Sequence, residues 1–158
     1  MKLDALYRQA EVVVSLDANL PAVIGDPIQL QQVVLNLALN ALDAAMSSSR
    51  PRVVIGTMAR DDEVEIIVHD NGPGLPPGIQ KHLFEPFFTT KSEGLGLGLA
   101  IVQSIVERHH GRVRAENREE GGATFRVVVS RTRNPRVGSL EMKTDYADVR
   151  TTTAAAAL

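Results

Sequence analysis

The sequence predicts an α+β fold: a two-layer α/β sandwich with a mixed, mostly antiparallel sheet of about five strands and about three helices on one face. Three observations carry this. β-Branched runs recur at 11–16, 52–57, 64–69, 112–117 and 124–129. Helical patterns at 27–46 and 97–110 separate them into groups. The middle pair of runs is linked by Met-Ala-Arg-Asp-Asp and the last pair by Glu119-Glu120-Gly121-Gly122, both of them turn chemistry for antiparallel hairpins. Hairpins with helices between them stack as one sheet under one helical layer, in preference to a doubly wound parallel sheet.

Composition narrows the function classes. A chain of 158 residues has room for one domain with a proper core and is short for two. The expected domain covers 1–130. From 131 to 158 the periodicity fades into a tail of low complexity, whose Gly-Ser-Leu-Glu has the look of a cloning junction. A net charge of −2 lacks the basic surplus that neutralises nucleic-acid phosphates, so nucleic acid is not an expected partner. With no cysteine there is no disulfide framework, thiolate metal site or thiol nucleophile, and a reducing cytoplasm is the expected compartment. The apolar stretches fall well short of the ~20 residues that cross a bilayer, and the N-terminus lacks a signal-peptide pattern. A soluble piece without direct membrane contact is expected.

The first helix has a clear start: Asp26 suits the N-cap, and Pro27 the first helical position, where its missing N–H costs nothing. The segment that follows is nearly all apolar. Yet Gln29, Gln32, Asn36, Asn40 and Asp43 recur every three or four residues and fall in one stripe. A face that merely met water would carry long charged side chains, whereas amides bind ligand or metal oxygens without a strong field. The seam is therefore read as the wall of a cleft.

A second wall comes from Val-Glu-Ile-Ile-Val-His-Asp. Counting by twos, Val64, Ile66, Val68 and Asp70 share a face, so a carboxylate ends a row that otherwise faces the core. Opening the Asn-Gly-Pro-Gly turn is the simplest role for Asp70. Gly72 and Gly74 suggest more, because residues without a Cβ let a flat ligand approach the backbone. Adenine fits: its exocyclic amine donates to a carboxylate, whereas guanine presents a carbonyl and is repelled. Thr124, opening the last strand, is expected to add a hydroxyl or a water bridge nearby.

The stretch Ser-Glu-Gly-Leu-Gly-Leu-Gly-Leu-Ala-Ile-Val lacks the preceding strand, the spacing and the Gly-Lys-Ser/Thr of dinucleotide and P-loop motifs. It does place backbone N–H groups at the start of a helix near Leu97, where the helix dipole favours phosphate. Gly94, Gly96 and Gly98 give access, and Leu95, Leu97 and Leu99 are expected to anchor the segment on the core, so that 87–94 behaves as a lid with a packed hinge. Lys91, in Thr89-Thr90-Lys91, is placed to reach a terminal phosphate or else is a solvated loop lysine. Leu-Phe-Glu-Pro-Phe-Phe holds three of the four phenylalanines; core packing accounts for Phe84 and Phe87, while their clustering beside the lid suggests that they position it.

Four segments, Asp-Pro-Ile-Gln…Asp-Ala-Ala-Met, Asp-Asn-Gly-Pro-Gly-Leu-Pro, Leu-Phe-Glu-Pro-Phe-Phe-Thr-Thr-Lys and Gly-Leu-Gly-Leu-Gly-Leu-Ala-Ile, stand in the order and spacing of the N, G1, F and G2 boxes. The chain thus resembles the catalytic and ATP-binding domain of sensor histidine kinases, in the superfamily of gyrase B, Hsp90 and MutL, and looks most like the nitrogen-regulatory and dicarboxylate-sensing group. The resemblance implies a Bergerat-type fold with ATP and Mg²⁺. It puts Asp70 on the adenine amine, Asn40 on the metal, and Gly72 and Gly74 beneath the base. The lining it suggests further includes Asp43, Phe87, Thr90, Lys91, Gly94, Leu95, Gly96, Leu97, Gly98, Leu99 and Thr124, with Asn36 and Lys91 at catalytic positions.

Two departures refine this. ATPase members carry a water-activating Glu one helical turn before the metal-binding Asn; here that position is Asn36, an amide with no basic lone pair at neutral pH. Slow hydrolysis is expected, and transfer to another nucleophile is favoured. Many kinases also carry a Lys shortly after the metal Asn, where this chain has Asp43, which leaves phosphate charge to Mg²⁺, Lys91 and lid amides. None of His69, His82, His109 and His110 lies in a phosphoacceptor context, so all four are read as structural. The acceptor is expected on a separate dimerisation domain of the same kinase, with a response regulator as an indirect partner. The parent's membrane anchoring stays open. The alternatives are a superfamily ATPase or serine-kinase regulator, and a non-catalytic nucleotide-sensing module.

Overall fold

The computed structural model of the chain describes residues 10–89 and 94–131, which form one five-stranded sheet with two α-helices on one face. In chain order these are β1 (Glu11–Ser15), α1 (Pro27–Ala45), β2 (Arg52–Arg60), β3 (Glu63–Asp70), α2 (Gly98–Arg108), β4 (Arg112–Asn117) and β5 (Ala123–Ser130). The sheet order is β1-β2-β3-β5-β4. Only β1 and β2 run parallel, because the chain between them returns through α1; the other pairs are antiparallel. β5 is hydrogen-bonded to β3 on one side and β4 on the other.

The period-2 pattern of the strands decides which face is covered. Val53 and Ile55 of β2, Val64, Ile66 and Val68 of β3, and Ala123, Phe125, Val127 and Val129 of β5 meet the helices. Against them α1 sets Val33, Leu37, Ala41 and Ala45, four residues apart, while α2 sets Val102, Ile105 and Val106. The opposite face needs no second layer because it is laced with charge. Arg112 grips Glu63 with two bonds of 2.6 and 2.8 Å, and Arg126 spans Glu65 (3.2 Å) and Glu116 (3.0 Å). The Arg112 guanidinium holds the Glu63 carboxyl below the usual carboxylate range.

The start of α1 is as the sequence predicts: Asp26 Oδ1 accepts from Ile28 N (2.9 Å) and Gln29 N (3.2 Å), with Pro27 first in the helix. A second restraint comes from the far end of α2. Asp26 N donates to His109 Nε2 (2.9 Å), while His109 Nδ1 lies 2.8 Å from Ile105 O. A single proton on Nδ1 satisfies both contacts. A Cβ on Gly25 would fall 2.5 Å from the same ring, so Gly25, Asp26 and His109 form a clasp between the helices.

One expectation changes. The linker read as Met58–Asp62 tightens, because β2 continues to Arg60 and pairs with Glu63, leaving Asp61 (φ 46) and Asp62 as the turn. Of the about three helices expected, the described residues hold two α-helices, with one short 3₁₀ turn at Ile79–Lys81. That turn starts after left-handed Gly78 (φ 83), and Pro86 soon bars a longer helix by disfavouring helical backbone at the residue before it.

Leu37 is fully buried at the centre of α1, whereas Leu35 on the same helix is 58% exposed. Leu37→Ala is expected to lower the unfolding free energy by about 2–5 kcal/mol, and Leu35→Ala by no more than about 0.5 kcal/mol, in urea titrations followed by circular dichroism.

Candidate functional site

Asp70 closes β3 on the helix-covered face and is only 2% exposed. Its Oδ1 accepts from Gly72 N (2.9 Å) and Ala123 N (3.3 Å), which ties the end of β3 to the turn after it and to the start of β5. Oδ2 has no hydrogen-bond partner among the described residues, and no buried side-chain oxygen among them is left unsatisfied, so Oδ2 meets solvent and not core. The outcome is a carboxylate fixed by one oxygen and offering the other. Burial pushes its pKa above the ordinary value; the two amide bonds, Arg118 and His69 oppose that rise without cancelling it.

The second wall is the amide seam of α1. A Cβ built on Gly98, the first residue of α2, would lie 3.5 Å from Asn36 Oδ1 and 3.8 Å from Asn40 Nδ2, so the start of α2 rests against the seam. Among the described residues no side chain caps that helix: Leu97 stands at its N-cap, and the first-turn N–H groups have no intrahelical partner. Gln29, Asn36 and Asn40 are half-buried, and Asp43 is exposed on the same stripe.

The glycine-rich segment is closed at its base by Phe87 N donating to Gly96 O (3.0 Å). Gly96 has φ +67, and a Cβ there would come within 2.6 Å of the Phe87 backbone, so this pairing admits only glycine. Leu99 packs on the core and Leu97 is half-buried, as an anchor requires. Leu95 corrects the expectation: it is 78% exposed and anchors nothing among the described residues. Phe87 corrects another, since a φ of +66 turns it out to 76% exposure while Phe84 packs on the core. A non-glycine residue at positive φ is strained backbone, and here it sits where the segment closes. Gly94 is exposed at the near end, and Thr90 and Lys91 lie outside the described residues.

Three further expectations are corrected. Thr124 does not line the Asp70 face. It pairs with His69 across β3 and β5, and its hydroxyl lies 2.7 Å from His69 Nδ1 on the opposite side of the sheet. Burial, with Arg118 and Arg126 nearby, pushes the His69 pKa down. Gly72 and Gly74 owe their missing Cβ atoms to protein packing. A Cβ on Gly72 would lie 2.5 Å from Ala44 O at the end of α1; one on Gly74 (φ +77) would lie 2.8 Å from Asn117 Oδ1.

Sequence reading missed four supports of this corner. A Cβ on Gly122 (φ +84) would overlap the Asp70 carbonyl oxygen, so the second glycine of the hairpin is dictated by Asp70. Ala123 donates to Asp70. Asn71 accepts from Arg52 N (2.9 Å) and donates to Arg50 O (2.7 Å), pinning the start of β2. Asn117 bonds Leu75 twice. The two glycines in a row were the only signal, and they read as turn chemistry.

Because its folded pKa is raised, Asp70 favours the fold fully below the carboxyl's unfolded pKa, and that contribution is lost as pH rises through the folded value. In nucleotide-free urea titrations from pH 3 to 8, Asp70→Asn is expected to be at least as stable as the wild type at neutral pH, with the difference shrinking toward low pH. The carboxamide oxygen of that variant still accepts from both amides. A variant that loses stability at pH 7 would contradict the assignment.

A family model described as "Histidine kinase-, DNA gyrase B-, and HSP90-like ATPase" matches residues 25–133. The sensor protein FixL of Bradyrhizobium diazoefficiens is 49% identical over 126 residues, covering 79% of this chain and 25% of FixL. This chain thus spans a quarter of that relative's length. Among solved structures, the nucleotide-free catalytic domain of histidine kinase ThkA is 30% identical with a TM-score of 0.70, covering 82% of this chain and 83% of that one. ThkA is also known in complex with the response regulator protein TrrA. Full-length ShkA in complex with AMPPNP is 27% identical with a TM-score of 0.67, covering 85% of this chain and 32% of ShkA. The four boxes, the mixed sheet under two helices and the buried Asp70 agree with these likenesses, and the chain belongs to the histidine kinase-, DNA gyrase B- and HSP90-like ATPase family.

Proposed function

We propose that this chain is the ATP-binding catalytic part of a two-component sensor histidine kinase, presenting the γ-phosphate of ATP to a histidine on a separate dimerisation and phosphoacceptor domain. The observation that carries the reading is the pairing of a buried carboxylate offering one oxygen with an amide seam set against an uncapped helix start. A ligand suited to both ends has a flat donor group at one and an anion at the other. ATP has both. The likeness to ShkA, solved with an ATP analogue, supports it.

In this reading Asp70 Oδ2 accepts from the exocyclic amine of adenine and repels the carbonyl of guanine. The first-turn N–H groups of α2 face phosphate oxygens, with Gly98 keeping the approach to Asn36 and Asn40 clear. Asn40 would hold Mg²⁺ through its carboxamide oxygen, a hard ligand of the kind that ion takes. When bound, that ion neutralises charge on the transferring phosphoryl group. Asn36 stands where a water-activating acid would be needed and takes no proton at neutral pH, so the nucleophile must arrive with its own lone pair: an imidazole does. Lys91 is proposed to reach the terminal phosphate. The remaining work is positioning.

In calorimetric titrations with ATP and Mg²⁺, the chain is expected to bind ATP in preference to GTP, and Asp70→Asn to weaken binding by about 10- to 150-fold. Affinity should fall as pH drops through the raised Asp70 pKa, since the protonated acid no longer offers Oδ2 as an anion. Given labelled ATP, the isolated chain should stay unlabelled and a matching acceptor domain should gain label on histidine. Steady phosphate release points instead to an ATPase, a phosphoserine product to a serine-kinase regulator, and ATP binding with no transfer to a sensing module; any of the three overturns the proposal.

A further inference from the structure

The base end of the cleft is assembled from three segments far apart in sequence, and one exposed side chain joins two of them. Asn117 is the last residue of β4, pairs with Ala123 across the hairpin, and reaches the loop that follows Asp70. Leu75 N donates to Asn117 Oδ1 (2.6 Å), and Asn117 Nδ2 donates to Leu75 O (2.9 Å). One carboxamide thus occupies both backbone groups of one residue, as a neighbouring strand would. Gly74, at φ +77, leaves just the space that Oδ1 fills. The Leu75 side chain packs on the core. The hairpin that carries Asn117 is itself closed by Arg118 N on Gly122 O (3.0 Å) and Gly121 N on Arg118 O (3.2 Å).

The loop from 70 to 75 therefore has two roots. Asn71 fixes the first through Arg50 and Arg52, and Asn117 fixes the second. Between them lies Gly72, whose N–H holds Asp70 Oδ1 and so sets where Oδ2 points. Both clasped groups of Leu75 lie near solvent, so water can replace the lost bonds and the fold as a whole need not fail without them. What changes without the clasp is the placement of the loop relative to Asp70.

We propose that Asn117 is a positioning residue for base recognition: by clasping Leu75 it holds the 72–75 loop where Asp70 discriminates an amino-purine from an oxo-purine. This rests on the reading of Asp70 as the adenine acceptor.

The test measures displacement of a fluorescent ATP analogue by ATP and by ITP, which carries a carbonyl in place of the amine, for the wild type, Asn117→Ala, Asn117→Asp and Asp70→Asn. Nucleotide-free melting curves of each are recorded alongside. Asn117→Ala is expected to weaken ATP about tenfold and to cut the ATP-over-ITP preference at least threefold, with a melting midpoint close to the wild type. Asn117→Asp keeps the size and the acceptor for Leu75 N but turns a second oxygen toward Leu75 O, and is expected to behave like the alanine variant at neutral pH. Unchanged preference in both variants, or equal loss for ATP and ITP with a lowered midpoint, overturns the proposal. If Asp70→Asn itself keeps the wild-type preference, the adenine reading has failed, and that arm separates the two failures.

Discussion

The corner proposed to receive the base depends on one constraint: a carboxylate is buried at the end of β3 with only one of its oxygens bonded to the protein. An unpaired buried anion is costly, and Asp70 meets that cost by giving Oδ1 to two backbone amides from different segments. Those bonds fix local geometry in turn. Ala123 must lie beside the end of β3, Gly122 must lack a Cβ to pass the Asp70 carbonyl, and Gly72 must lack one to pass Ala44. The desolvation that remains shows in the raised pKa. Stability is given up at this position for a carboxylate that keeps one oxygen unbonded to the protein.

The end proposed to receive the phosphates is organised by one helix with distinct faces. The residues Val33, Leu37, Ala41 and Ala45 of α1 fasten it to the sheet, and the amide stripe beside them is turned toward the start of α2. Two clasps keep the helices in register. One is the His109 ring between Asp26 and Ile105, and the other is the approach of Gly98 to Asn36 and Asn40. The proposed base and phosphate sites thus share one core, since α1 and β3 both pack into it.

Much of this was legible in the sequence, and the misses share a cause. All five strands, both long helices, the Asp26 cap and the row ending in Asp70 follow from period and local chemistry, which short windows contain. Thr124 was misplaced because its face depends on the register of β5 against β3, and a shift of one residue exchanges the faces of a strand. Gly72 and Gly74 were recognised as necessary for the wrong reason: their close neighbours are Ala44 and Asn117, many residues away. Asn117 itself gave no local signal, since its bonds go to a residue 42 positions earlier. Leu95 was expected on the core from the alternation of glycine with leucine and Phe87 from aromatic clustering, while the positive φ values at Phe87 and Gly96 belong to a tertiary closure that such local patterns do not encode.

The most direct measurement is a crystal structure of the chain grown with Mg²⁺ and a non-hydrolysable ATP analogue. The account predicts one bound nucleotide, its exocyclic amine within hydrogen-bond distance of Asp70 Oδ2 and its metal ion ligated by the Asn40 carboxamide oxygen. A nucleotide seated elsewhere, or a base turned away from Asp70 while the phosphates occupy the seam, would contradict it.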